Sequence, residues 1–239
     1  MTKFDHKINL PNIFAVNNLS ILPIARGDYV ISSFSAYKEF DEPSQEIQRI
    51  SIPPHIQSLI PQFLVSEAIA LNCANVGGIL NDFLEDDELV PTVSGRMSSG
   101  NFEFDISTAL GTKHIAVSNS QIEIDAAYEG IHYLSLFEAK RDLSDDFLVR
   151  QLYYPFRVWS KRVTKTVKPI FLIFSNGIFN LYQYQFMNPQ NYNSIRLVKQ
   201  KNYVIATEIC LADIENLLRT VPLIQEPDIS FPKRIVCLE

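Results

Sequence analysis

Two carboxylates and a lysine lie close together near the middle of the sequence. Asp125 closes the run Ile122–Asp125, and Glu138 and Lys140 close the apolar run that follows. Alternate residues of a strand face the same way, so Glu138 and Lys140 are presented together, and a hairpin would bring Asp125 beside them. Mg²⁺ prefers carboxylate oxygens, and a neighbouring lysine can orient or help deprotonate water. The pattern predicts a divalent-metal site for phosphodiester hydrolysis.

A simpler interpretation of the same residues is structural. Glu138 and Lys140 would form a surface ion pair on an exposed strand, and Asp125 would lie in a turn. Against this, the run Ile131–Ala139 is almost continuously apolar, which favours a central strand that is buried on both faces. Charged side chains there must pair with each other, with a metal, or with solvent at an open strand end.

A helix is predicted on each side of this stretch. Apolar spacing predicts the first over 62–84, broken at Gly77-Gly78. Glu67 lies near its start, either as a solvated acid that complements the helix dipole or as an outer ligand of metal or water. Ser144 is the predicted N-cap of the second helix, which runs past Gln151 and is kinked at Pro155.

Strands make up most of the remaining pattern. The runs 29–37 and 47–52 precede the first helix, 102–106 and 114–117 precede the acidic strand, and 169–175 with 178–186 form a hairpin. Two short strands, 195–198 and 203–206, are predicted to pair, and a short helix follows at 211–218. This order predicts an α/β or α+β fold with a mixed sheet.

Residues 91–100 form a polar, glycine-bounded segment that is predicted to be a loop. Its cation Arg96, its hydroxyls on Ser98 and Ser99, and its backbone N–H groups could contact phosphates. The segment is also consistent with an ordinary connection between strands.

Charge is distributed unevenly along a chain whose formal net charge is −6. From Lys140 to Lys168 there are eight basic residues against three acidic ones, so the remainder is strongly acidic. A local basic face is compatible with a polyanionic substrate, and we expect Lys161, Arg162 and Lys165, together with Arg96, to contact phosphates.

Cysteine, histidine and hydropathy patterns point to a cytoplasmic protein. The three cysteines are widely separated and form no CxxC pair, which disfavours a disulfide framework or a zinc finger. The four histidines lack ligand spacing. We expect no membrane association, because no apolar stretch is long enough to cross a bilayer.

The nucleotide-binding, zincin and serine-hydrolase patterns GxGxxG, GxxxxGK[ST], HExxH and GxSxG are missing from the sequence. Asp125 followed by Glu138-Ala139-Lys140 instead resembles the PD-(D/E)xK nuclease superfamily. The stretches IEIDAAYEG and FEAKRDLSDDFLVRQLYYPFRVW resemble a group of bacterial type II restriction endonuclease-like proteins. The likeness covers about 92–186, and it departs from the pattern in having Ile124 where proline is usual.

The resemblance implies a restriction-endonuclease-like core, a mixed sheet flanked by helices. It implies that Asp125, Glu138 and the Ala139 carbonyl bind Mg²⁺, with Mn²⁺ as an alternative ion, and that Glu67 adds to the metal shell. Lys140 would serve the attacking water, and Gln151 would support the site. The implied substrate is double-stranded DNA, cut by a homodimer in the bacterial cytoplasm, with a cognate DNA methyltransferase as functional partner.

The predicted organisation has three parts. Residues 1–60 are an accessory segment packed on the core, 61–221 are the nuclease core, and 222–239 are a tail that could lead to a further DNA-binding domain. Two other functions stay open: a non-catalytic DNA-binding or oligomerisation module on a nuclease fold, and a repair or junction nuclease of the same superfamily.

Overall fold

The fold is α+β and is organised around a mixed sheet of seven strands, in the order β4-β13-β12-β11-β9-β8-β5. The computed structural model describes residues 4–59, 66–141 and 143–206. The predicted α+β class and mixed sheet are confirmed. The strands are β1 (Ser20–Pro23), β2 (Tyr29–Ser32), β3 (Tyr37–Glu39), β4 (Ile47–Ile50), β5 (Val90–Ser98), β6 (Asn101–Thr108), β7 (Gly111–Ser118), β8 (Gln121–Glu129), β9 (Tyr133–Lys140), β10 (Asp146–Leu148), β11 (Thr166–Ser175), β12 (Ile178–Phe186) and β13 (Ile195–Ile205).

The described helices are short and few. They are α1 (Asn12–Val16), α2 (Glu67–Val76), α3 (Ile79–Leu84) and α4 (Arg150–Trp159), with 3-10 turns at Lys7–Asn9 and Tyr192–Ser194. Within the part of the chain that the structure describes, no helix has the length and apolar character needed to span a bilayer.

Strand β9 lies inside the sheet between a parallel and an antiparallel neighbour. It pairs in parallel with β11, where Glu138 lies opposite Phe171, and antiparallel with β8. Its side chains alternate between two apolar layers: Leu134 and Leu136 pack in the layer that contains α4, and Phe137 and Ala139 pack in the layer that contains α2 and α3. Burial on both faces explains why this run is apolar almost throughout.

The break predicted in the first helix is confirmed. Gly78 has φ of +78° and separates α2 from α3, a backbone conformation that glycine adopts without steric cost. Ser66 caps α2, and its side chain accepts a hydrogen bond from the Ile69 N–H at 3.2 Å. Glu67 is therefore the first residue of α2, as its sequence position predicts. Residues 60–65 lie outside the described part of the chain.

The predicted start of the second helix is wrong. Ser144 does not cap it, because residues 146–148 form β10 and pair with β3. Burial of Phe147 outweighs the local capping signal, and the helix begins only at Arg150. Pro155 lies inside α4, which continues past it to Trp159, so the proline does not interrupt the helix, and the kink stays a prediction.

Two further local predictions differ from the structure. The segment 91–100 is mostly strand β5, paired with β8, rather than a loop. Residues 195–205 form one strand, β13, which pairs along its length with β12 and in parallel with β4, so the predicted pair of short strands is wrong. In both places an extended partner strand overrides local polar and charged residues.

The N-terminal residues are joined to the sheet. Strand β4 supplies an edge strand, and the Leu148 N–H donates to the Asp5 carbonyl at 2.9 Å. The described residues up to Ala206 belong to one compact unit. The predicted helix at 211–218, the end of the predicted core and the tail 222–239 lie outside the described residues, and the boundaries of 1–60 and 61–221 stay predictions.

Candidate active site

The site begins where strands β8 and β9 stop pairing. Their ladder ends at Ala126 opposite Phe137, just before Asp125. Beyond that point the Ala139 N–H donates to the Asp125 carboxylate, with a distance of 2.7 Å from N to Oδ2. A side chain thus takes the place of a backbone partner. The end of the β8–β9 ladder at Asp125 coincides with the opening of a polar cavity.

This cavity, here called the acid cavity, has a volume of about 140 Å³. It collects five of the residues predicted for catalysis and metal binding, which lie on α2, α4, β8 and β9, together with other side chains. Its lining consists of Asp5, Glu67, Gln121, Ile122, Glu123, Asp125, Glu138, Lys140, Arg150, Gln151, Tyr154 and Pro155. The structure therefore brings together all the predicted catalytic residues and Glu67, and Ala139 lies between Glu138 and Lys140 in β9.

Glu138 is the most buried charged group of the acid cavity. One of its oxygens, Oε1, accepts hydrogen bonds from both the Lys140 ammonium and the Gln151 amide. Burial raises the pKa of the Glu138 carboxyl to about 8; the Lys140 charge opposes this shift, and the charges of Asp125 and Asp5 add to it. The exposed surface pair of the simpler interpretation is not what the structure contains.

Lys140 stays a cation in this environment. Burial by itself would lower the pKa of its ammonium, but the carboxylates of Glu138, Asp125 and Asp5 together raise that pKa above its usual value. The cavity therefore combines a carboxyl that ionises reluctantly with a lysine that remains charged.

Helix α4 faces the site with its N-terminal end. Arg150 and Gln151 are its first two residues, and its first turn contains no acidic residue. The Gln151 Oε1 atom is buried and makes no hydrogen bond within the described part of the chain. A helix N-terminus carries a partial positive charge, so this end of α4 favours an anionic group in the cavity.

Asp5, Gln121 and Arg150 were not predicted as site residues. Asp5 reaches the cavity because the chain before α1 packs beside β10, where its carbonyl accepts from Leu148. No local signal in the sequence indicates this contact. Arg150 precedes the predicted Gln151, and the corrected helix start explains why it faces the site.

Arg96 and Ser98 lie on β5 close to the acid cavity. With Arg26, Gln121 and other residues they line a wider depression of about 340 Å³, which shares Gln121 with the acid cavity. Arg96 is exposed and pairs with Glu123, with 3.3 Å between Nε and Oε1. Ser99 is buried, and its hydroxyl donates to the Gly100 carbonyl at 2.8 Å.

Lys161, Arg162 and Lys165 lie near the other end of β9. The end at Asp125, Glu138 and Lys140 is here called the site end, and the end at Glu129, Gly130 and Tyr133 the opposite end. Lys165 donates to the Glu129 carboxylate at 2.8 Å and to the Gly130 carbonyl at 2.7 Å. Strand β9 is eight residues long and spans about 25 Å at roughly 3.3 Å per residue. The structure does not bring these three cations to the acid cavity.

The basic window 140–168 is consequently not a single face. Arg157 is buried and donates to the Glu103 carbonyl and the Tyr153 hydroxyl. Lys168 donates to the Leu84 carbonyl at 3.1 Å. Part of the positive charge that the sequence suggested for DNA therefore satisfies internal carbonyls and carboxylates.

The chain belongs to the family described as "Domain of unknown function (DUF6997)", whose model matches residues 32–204. A second family, "Domain of unknown function (DUF6996)", matches residues 1–31. Comparison with curated proteins and with solved structures gives no match. Asp5 lies in the segment matched by the second family, whereas the predicted catalytic residues lie in the segment matched by the first.

Proposed function

We propose that this protein is a Mg²⁺-dependent endonuclease that hydrolyses phosphodiester bonds of double-stranded DNA, as a type II restriction enzyme does. One observation carries the proposal: Asp125, Glu138, Lys140 and Gln151 share one cavity at the point where β8 and β9 stop pairing. The same residues match the PD-(D/E)xK pattern, and the α+β fold with a mixed central sheet is consistent with a restriction-endonuclease-like core.

The donor set of the acid cavity fits magnesium. Among residues 4–59, 66–141 and 143–206, no three His, Cys, Asp or Glu side chains are grouped closely enough to hold a metal. Magnesium usually keeps several waters and takes only one or two protein carboxylates with substrate phosphate oxygens. Asp125, Glu138 and the Ala139 carbonyl would hold it, and Glu67 would act through the outer shell. When bound, the ion would polarise the phosphate and lower the pKa of a bound water.

The protein's own side chains have separable roles in this mechanism. Lys140 stays charged at neutral pH, so it can orient the attacking water and compensate the negative charge that develops on the phosphate. Gln151 and Lys140 fix the Glu138 carboxylate through hydrogen bonds to Oε1. The N-terminal end of α4 adds partial positive charge where the phosphate would lie.

The direct test is cleavage of genomic DNA with Mg²⁺ by the wild-type chain, Asp125→Ala and Lys140→Ala. We expect both variants to lose cleavage while DNA binding stays measurable. Lys199→Ala is the matched control, because Lys199 also pairs with a glutamate, Glu85, at 2.8 Å but outside the cavity. Full activity in either site variant would contradict the assignment, and no cutting of any DNA by the wild type would favour a non-catalytic module.

Sequencing the ends of the products separates the nuclease classes. A restriction enzyme cuts at a fixed sequence and spares DNA that carries the protective methylation. Fragments with scattered ends, or cutting that depends on branched structure, would instead identify a repair or junction nuclease.

A further inference from the structure

A second pocket adjoins the acid cavity and has a different character. It lies beside the β1–β2 hairpin, has a volume of about 210 Å³ and shares Asp5, Gln121 and Arg150 with the acid cavity. We call it the hairpin pocket. Any group that extends from the acid cavity past these three residues enters it.

The walls of the hairpin pocket combine aromatic and apolar surface with two arginines. Phe4 and Tyr29 contribute rings, and Arg26 and Arg150 contribute guanidinium groups. Tyr29 is 43% exposed in the free protein, so its ring is available to a ligand. An apolar cavity of about 150 Å³ accepts benzene, so the volume suffices for the ring of a nucleobase.

Two polar atoms at the hairpin pocket lack partners within the described part of the chain. Ser120 is fully buried, and its Oγ makes no hydrogen bond there. The Arg150 Nε is also buried without an acceptor. Buried polar groups are costly to leave unsatisfied, so both atoms favour a ligand with hydrogen-bonding edges and an anionic oxygen.

We propose that the hairpin pocket holds the base of one unpaired nucleotide next to the phosphate that is cut. The aromatic walls would stack on the base, and Arg26 and Arg150 would bind flanking phosphates. In a duplex, this base must leave the stack. The inference rests on the proposed nuclease function, because it takes the acid cavity as the position of the phosphate.

The test is equilibrium binding of two single-stranded probes, a ten-nucleotide oligothymidylate and an abasic strand of the same length, in Ca²⁺ without Mg²⁺. Base stacking on an aromatic side chain stabilises binding by roughly 1–3 kcal/mol, so we expect the oligothymidylate to bind wild type about tenfold more tightly or better. Tyr29→Ala should remove most of this difference. Arg26→Ala, an exposed position, should weaken both probes.

Ile31→Ala is the matched control, because Ile31 lies on the same strand, is 52% exposed and does not line the pocket. It should keep the wild-type ratio between the two probes. Equal binding of the two probes, an unchanged ratio in Tyr29→Ala, or no binding of either probe overturns the proposal.

Failure of the nuclease function gives a different pattern. If the nuclease proposal is wrong, the wild type does not cleave DNA, or the site variants cleave it as fast as the wild type does. The ratio of the affinities for the two probes is then unaffected, because it is measured under conditions without cleavage. Conversely, a wild type that cuts DNA but binds both probes equally refutes the pocket alone.

Discussion

A glutamate–lysine pair lies near each end of strand β9, and the two pairs differ in how exposed their carboxylates are. At the opposite end, the Glu129 side chain is 35% exposed and pairs with Lys165. At the site end, the Glu138 side chain is 8% exposed and shares a cavity with another carboxylate, Asp125. Water can screen the charges of the Glu129–Lys165 pair. The buried Glu138–Lys140 pair is instead stabilised only by the protein groups around it. Burial therefore makes the pair at the site end more sensitive to the loss of a neighbouring group than the exposed pair.

The opposite end also shows what a fully satisfied buried acid looks like. The Asp86 carboxylate is buried and accepts from the backbone N–H groups of Asp87, His132 and Tyr133 at 3.0–3.2 Å. Burial would raise the pKa of Asp86, but these hydrogen bonds together lower it below its usual value. Asp86 therefore holds the turn between β8 and β9 and has no spare capacity for a ligand.

The largest expected effect contrasts the two glutamates. Glu138→Gln should reduce cleavage by more than the roughly 10–100-fold typical of residues that only support a metal site. Glu129→Gln should leave the rate within about twofold, since its pair is partly exposed. Rates measured at saturating Mg²⁺, with melting curves for both variants, check this. Comparable losses in both would show that the contrast between the two ends is unrelated to catalysis.

Gly130→Ala tests the packing of the opposite end. A Cβ at this position would clash with Asp86 Oδ2 and lie 2.9 Å from the Asp87 carbonyl oxygen, so the turn must shift. Overpacking of this kind typically destabilises by about 1–3 kcal/mol. Denaturant unfolding measures the loss, and Gly27→Ala, whose Cβ would meet no atom within 4 Å but whose φ is +95°, separates steric clash from backbone strain. Unchanged stability in Gly130→Ala would contradict the tight turn.

Asp86→Asn should destabilise the fold by about 1–3 kcal/mol at neutral pH, because an amide N–H would face backbone donors. The lowered pKa fixes the sign of the pH dependence. The stabilisation is present above the unfolded-state pKa, near 3.8, and is lost as pH falls through the lower folded-state pKa. The gap in unfolding free energy between wild type and variant should therefore narrow below pH 3.8. A gap that is constant from pH 7 to 3 would reject this account.

The smallest expected effect concerns the cations of the two ends. Arg96→Ala should lower the slope of log Kd against log salt by about one, the contribution of one phosphate contact. Lys161, Arg162 and Lys165 were predicted to contact phosphates too, and alanine variants of each test that prediction at the opposite end. An unchanged slope in all four variants would reject phosphate contacts at both ends.

Patterns confined to one strand or helix were predictable from the sequence. The apolar run before Glu138, the break at Gly78 and the hairpin of β11 and β12 each follow from local residues. The predicted site residues 125, 138, 140 and 151 do meet in one cavity. Alternation along a strand and a hairpin place Glu138, Lys140 and Asp125 together, whereas Gln151 was predicted from the resemblance to the PD-(D/E)xK superfamily.

The predictions that were wrong, and the site residues that were missed, involve partners that are distant in sequence. Residues 146–148 became a strand because β3, more than a hundred positions earlier, supplies its partner. Asp5 joined the acid cavity through a contact with Leu148. The hairpin pocket likewise combines Tyr29 with Ser120 and Arg150. Local pattern carries no information about such pairings, since each depends on the closure of a long loop.

The parallel pairing of β4 with β13 has a consequence for how the protein folds. Ile47 lies opposite Asn202, so one edge of the sheet joins residues that are 155 positions apart in the sequence (202 minus 47). Contacts between residues so far apart form only after a large loss of chain entropy, and topologies rich in them fold slowly. During synthesis, β4 therefore leaves the ribosome long before its partner does. Until β13 has been synthesised, β4 lacks its partner strand. During that time the unpaired edge of β4 can pair with a wrong strand.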